Sequence, residues 1–173
     1  MPETEQGVNL DRYMLVPRTL IILTREDTVL LLKGADNKRL WAGLYNGIGG
    51  HIEQGEDVLT AAQRELLEES GLASPDLWLC GVVIVDTRTN PGVCIFIFTG
   101  ECTDGEMVLS KEGMLEWIKI SQLKHLLLVG DLPVLLPKIL YMKPGDTPFS
   151  ARSSYNDLGN IVVTFNSEQK NSG

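Results

Sequence analysis

The sequence predicts an α/β (α+β) sandwich built on a mixed sheet, and three observations carry that reading. Several short apolar runs are bounded by turn residues, one longer segment carries helical periodicity while a second, apolar one suits a helix, and the first pair of strands is apolar on both faces. A sheet with two apolar faces has to be covered on both sides.

In chain order, residues 19–24 and 29–33 read as strands of a hairpin around Arg25-Glu26-Asp27. Residues 34–50 are rich in Gly and Asn, with Trp41 and Tyr45 among them, and read as a loop. Residues 57–70 place Val58, Leu59, Ala62 and Leu66 at helical spacing, and Gly71 follows where a left-handed C-cap residue is expected. Residues 77–86 and 93–101 are two more strands, joined through the turn-forming run Thr87-Arg-Thr-Asn-Pro-Gly92. A polar stretch, 102–116, precedes a short strand at 117–120. Residues 132–141 suit a helix with Pro133 near its start, although Pro137 counts against an uninterrupted one. Residues 149–155 and 161–165 flank Asn156-Asp-Leu-Gly-Asn160 as a closing hairpin.

The 173 residues, 43% hydrophobic and 22% charged, suit one globular domain, placed at 13–166 with 1–12 and 167–173 as flexible termini. A net charge of −8 argues against a nucleic-acid polymer as partner, because phosphate-backbone binding needs a basic surface. It leaves room for a small nucleotide whose phosphates are bridged by a divalent ion. Cys80, Cys94 and Cys102 lack metal-site spacing and read as reduced thiols in or near the core. The polar, acidic opening and the lack of any apolar run near ~20 residues predict neither a leader nor a membrane span, with the cytoplasm as location. A monomer or homodimer fits equally.

The chemistry concentrates in residues 50–72. Glu65, Glu68 and Glu69 fall within roughly 100° of helix arc, beside the apolar stripe. Like charges at these offsets repel, and Arg64 supplies a single counter-charge. Clustered hard oxygens short of positive charge suit Mg²⁺ or Mn²⁺, which take carboxylates, waters and phosphates together. A solvated acidic helix face is the plain alternative. The wider spacing decides against it: Gly50-x5-Glu56-x7-Arg64-Glu65-Leu66-x-Glu68-Glu69-x-Gly71-Leu72 resembles, position for position, the Nudix box, the signature of the Nudix hydrolases.

That resemblance implies an α-β-α sandwich and Mg²⁺-dependent (or Mn²⁺-dependent) hydrolysis of a diphosphate linkage in a small-molecule nucleotide. It assigns Glu65, Glu68 and Glu69 to the metal, with the carbonyl of Gly49 as a further ligand. Arg64, held by Glu56, orients the neighbouring glutamates. Glu65 is the first candidate for general base. Family members also recruit a glutamate from a loop before a late strand. Glu112 occupies such a loop and reads either as that ligand or base or as a solvated charge.

Outside the box, Asn46-Gly-Ile-Gly-Gly50 resembles a stretch of the oxidised-purine nucleoside triphosphatases whose Asn contacts the base, an amide being matched to a purine edge. Asn46 also reads as a plain turn residue. Asp131 stands where those enzymes carry an acidic base-recognition residue, and equally where a helix N-cap belongs. Leu128 and Val129 replace the aromatic that often stacks on the base. Lys33 and Arg39 could reach phosphates, and Trp117 could line the base pocket. His51 and His125 are too few for a histidine-based metal site. The resemblance therefore implies cleavage of a purine nucleoside triphosphate, 8-oxo-dGTP among the candidates, to monophosphate and pyrophosphate. The rivals are another nucleoside diphosphate-X substrate, such as a dinucleoside polyphosphate or nucleotide sugar, and a non-catalytic nucleotide-binding domain, which the intact box disfavours.

Overall fold

The computed structural model describes residues 7–35, 41–73 and 76–166. Its strands are β1 (Leu15–Arg25), β2 (Thr28–Gly34), β3 (Tyr45–Asn46), β4 (Trp78–Val85), β5 (Gly92–Glu101), β6 (Gly113–Lys119), β7 (Phe149–Tyr155) and β8 (Ile161–Phe165). Two α-helices, α1 (Val58–Ser70) and α2 (Leu132–Tyr141), and a 3-10 helix (Ile120–His125) complete it. The strands form one sheet in the order β3-β2-β1-β5-β4-β7-β8, with β6 paired to β2 as well. β1 runs parallel to β5 and β4 to β7, while the other pairs are antiparallel. The sheet is thus mixed, as its sequence predicts.

Alternation along the strands sends side chains to two separate cores. Ile21, Leu23, Leu30 and Phe98 face α1, where Ala62 and Leu66 meet them. Ile22, Leu31, Val83 and Ile97 face α2, where Leu132, Leu135, Leu136 and Ile139 form the buried stripe. Leu59 of α1 is exposed rather than part of the buried stripe, which Ala61 fills instead. Asp57 caps α1 by accepting from the N–H groups of Leu59 and Thr60. Gly71 ends the helix at φ 72°, its N–H bonded to Leu67 O.

β1 and β2 pair only beside their turn, at Thr24↔Val29 and Arg25↔Thr28, and then splay apart. Residues 45–50, expected to be loop, fill the wedge together with His51 as extended chain. On one side Ile48 exchanges both hydrogen bonds with Ile21, and Thr19 N–H donates to Gly50 O at 2.8 Å. On the other, Asn46 pairs with Leu32 of β2. The sequence hides this strand because its pairing runs through glycine-rich backbone, with Ile48 as its one fully buried anchor.

β6 begins at Gly113, earlier than the strand expected at 117, because Met114, Leu115 and Glu116 continue the register with β2. Ile120 turns into the 3-10 helix instead of extending that strand. Cys80, Cys94 and Cys102 are free and buried, and burial pushes the Cys80 thiol up to about 12. Among the described residues no helix is long and apolar enough to cross a membrane. Residues 1–6 and 167–173, within the expected flexible termini, lie outside the described residues.

Ile48→Ala should cost about 2–5 kcal/mol of unfolding free energy, since it removes a fully buried anchor. A urea melt within about 0.5 kcal/mol of wild type would show that the wedge does not depend on it.

Candidate active site

Helix and wedge meet at Gly50 and Glu65. A Cβ on Gly50 would fall on the Glu65 carboxylate, so any larger residue there would push that carboxylate off its present position. Gly49 is packed as tightly, its missing Cβ directed at the Thr19 carbonyl. The wedge thus presents bare backbone to the acidic face of α1.

Arg64 organises that face by using all five of its N–H donors. Nε and Nη2 grip Glu56 at 2.6 and 2.9 Å, Nη1 donates to Glu65 at 2.8 Å and to Glu68 at 3.3 Å, and Nη2 reaches the His51 carbonyl at 3.1 Å. The Glu56 and Glu65 side chains are 16% and 13% exposed, whereas Glu68 is 61% exposed. The Arg64 guanidinium, helped by the Glu53 N–H, holds Glu56 down at about 2, from an ordinary 4.5. The same bonds raise Arg64 and keep it cationic.

Two adjoining cavities open beside this cluster. One, of about 360 Å³, is lined by Gly49, Glu69 and Glu112 together with Arg18, Trp41 and Asn46. The other, of about 200 Å³, is lined by Arg18, Trp41, Asn46, Asp131, Ser153 and Tyr155 over an apolar floor that includes Leu20, Ile95 and Val129. Arg18, Trp41, Asn46, Gly47 and Gly49 belong to both walls, so the two form one cleft running from the acidic helix toward α2.

Hydrogen bonding explains why Asn46 and Asp131 share it. Tyr45 N–H donates to Leu127 O at 2.8 Å and Val129 N–H donates to Tyr45 O at 3.0 Å, a parallel bridge that brings residues 127–131 beside the wedge. Asp131 sits at the N-cap position of α2, yet its side chain makes no capping bond and lines the cavity instead. Asn46 Oδ1 accepts from Gly47 N–H at 2.8 Å, which leaves its NH₂ group as the donor it can offer.

The structure therefore brings Gly49, Asn46, Glu69, Glu112 and Asp131 to one cleft, with Glu65 packed against its glycine wall and Glu56, Arg64 and Glu68 bonded behind. It does not bring Lys33 or Trp117 there. Lys33 shares the α2-facing side of β2, where its Nζ lies 5.7 Å from the Tyr45 ring centroid, and it lines neither cavity. Trp117 pairs with Leu30 and so points to the opposite face, into the core under α1, with the Arg25 guanidinium 4.3 Å from its ring centroid. Strand parity overrules its expected place as a pocket wall. Arg39 lies outside the described residues.

Sequence reasoning missed Arg18, Ser153 and Tyr155. The signal for Arg18 was present: it shares the alternation phase of Leu20 and Ile22 in an otherwise apolar strand. An aromatic wall that Leu128 and Val129 cannot supply comes from Trp41, 45% exposed at φ 64°.

The family model described as NUDIX domain matches residues 14–139. The chain is 31% identical over 126 residues to the oxidized purine nucleoside triphosphate hydrolase of Mus musculus, spanning 72% of this chain and 80% of that protein. It is 28% identical over 131 residues to the NAD-capped RNA hydrolase NudC of Salmonella typhi, spanning 73% of this chain and 45% of that one. The MutT protein of Bacillus halodurans shares the fold, with a TM-score of 0.75 at 24% identity over 88% of this chain and 99% of that one.

The Glu56–Arg64 pair makes stability depend on acid. Because the folded carboxyl ionises near 2 and the unfolded one near 4.5, its contribution is complete above about pH 4.5 and drains away as pH falls toward 2. Glu56→Gln should melt below wild type at neutral pH, with the gap closing through that window. A gap that ignores pH would assign the loss to packing instead.

Proposed function

The chain belongs to the NUDIX family and is a Nudix pyrophosphohydrolase, and from that premise we propose that it cuts a purine nucleoside triphosphate, oxidised purines included, to monophosphate and pyrophosphate with the help of Mg²⁺ or Mn²⁺. One observation supports this above the others: a single cleft has a carboxylate, Asp131, in its apolar cavity, Glu69 and Glu112 in its acidic one, and the Asn46 amide and Gly49 where the two meet. The likeness to the murine oxidized purine nucleoside triphosphate hydrolase points the same way.

The donor set fits a hard divalent cation. Glu65, Glu68, Glu69, Glu112 and the Gly49 carbonyl offer oxygen only. Among the described residues no three acidic, His or Cys side chains form a ready-made cage. Mg²⁺ keeps several waters and takes substrate phosphates as ligands beside one or two carboxylates. When bound, such an ion neutralises phosphate charge and eases the loss of a proton from water.

The remaining work falls to the chain. Glu65 takes the proton from the attacking water, with Glu112 as rival base from the loop before β6. Arg64, locked by Glu56, fixes the direction of the Glu65 carboxylate. Asp131 and the Asn46 NH₂ pair with the edge of the base, and Trp41 offers a ring against its face.

A second reading, cleavage of another nucleoside diphosphate-X, draws on the likeness to NudC. Substrate panels separate the two, since only a triphosphate gives pyrophosphate and monophosphate alone. Hydrolysis in oxygen-18 water then reports which phosphorus is attacked.

Glu65→Gln should lower kcat by about 10²–10⁴-fold, and Glu69→Gln should abolish turnover while the melting temperature stays near that of wild type. Wild-type rates from Glu69→Gln in Mg²⁺ would remove it from the metal site. If wild-type protein leaves every diphosphate compound uncut with either metal, the proposal fails.

A further inference from the structure

Arg18 stands where the two cavities join. It leaves β1 on the phase of Leu20 and Ile22, which enter the core under α2, yet it carries a charge. Among the described residues it is the cation that lines both cavities. Its side chain is half-buried and makes no hydrogen bond or ion pair with any described residue. A guanidinium held in a cleft without a partner loses hydration and gains nothing in return.

The charges around it sharpen the question. Glu69 and Glu112 line the acidic cavity and Asp131 the apolar one, in a chain of net charge −8. A polyanionic substrate would meet carboxylates in both halves, and among the described residues that line the cleft Arg18 supplies the positive charge between them. Lys33 is turned toward Tyr45 and lines neither cavity.

We infer that Arg18 is the residue that grips the nucleotide at its sugar-proximal phosphate, on the strength of the reading of this cleft as a nucleotide site. With a base against Asp131 in the apolar cavity and the outer phosphates beside Glu69 and Glu112 in the acidic one, the junction, which Arg18 shares with Asn46 and Gly49, is where the phosphate nearest the sugar has to pass. A planar guanidinium with five donors matches two phosphate oxygens at once. Arg18 then acts as a gauge: it selects nucleotides over nucleosides and sets how far the phosphate chain reaches toward the acidic helix. It touches the substrate without exchanging a proton.

The test is binding without metal, so that it does not depend on turnover. Purine deoxynucleoside monophosphates and the matching nucleosides are titrated calorimetrically into wild type, Arg18→Gln and Arg18→Lys in the presence of a chelator. Wild type should favour monophosphate over nucleoside by at least about tenfold, the scale of a charge-assisted hydrogen bond. Arg18→Gln should erase that preference while keeping nucleoside affinity, and Arg18→Lys should restore part of it. In steady state, Arg18→Gln should raise KM about tenfold with a smaller change in kcat. Equal loss for nucleoside and monophosphate would make Arg18 a cavity wall and overturn the inference, as would an unchanged preference. If wild type binds neither class, the nucleotide reading of the cleft falls first and the assignment of Arg18 falls with it.

Discussion

The divergence of β1 from β2 is the constraint on which the rest of the structure depends. Two strands that pair for only a few residues leave their remaining backbone groups unsatisfied, and buried peptide groups must find partners. Residues 45–51 supply them, to Ile21 and Thr19 on one side and to β2 on the other. A segment that enters the sheet this way gives up its freedom to move as a loop. Its glycines therefore lie at fixed positions, with Gly50 against Glu65 and Gly49 against Thr19.

The acidic face of α1 is then an electrostatic problem solved locally. Three glutamates on one arc repel one another, and a single guanidinium distributes its donors so that Glu65 and Glu68 each receive one while Glu56 takes two. The arrangement neutralises part of the charge, while Glu69 lines the cleft. Position matters more than the strength of any pair. Glu68, 61% exposed, gains little from its bond, whereas Glu65, at 13%, is aimed by it.

Much of this was legible in the sequence, for identifiable reasons. The α1 periodicity, its Gly71 stop and the hairpin of β7 and β8 rest on local signals, and the spacing of Glu56, Arg64, Glu65, Glu68 and Glu69 carries its chemistry with it. Glu112, Asn46 and Asp131 were reached through the resemblance, and one cleft gathers them. What stayed hidden depended on long-range pairing. The wedge strand has no alternation of its own to reveal it. Trp117 was misplaced because its face is set by its register with Leu30, which no local pattern encodes. Arg18 was overlooked because a lone charge in an apolar strand looks like a strand end until its phase is counted.

Tyr45 joins β2, the wedge and the segment before α2 through its backbone, and its hydroxyl lies 3.4 Å from Glu116 on β6. Those pieces are distant in sequence, so a folding chain gains nothing at this junction until several large loops have closed. No half-folded intermediate can display the assembled cleft, because Arg18, Asn46, Glu112 and Asp131 converge only after that closure. Assembly of the cleft is in this sense a property of the final cooperative step, and heat should dismantle it together with the sheet rather than ahead of it.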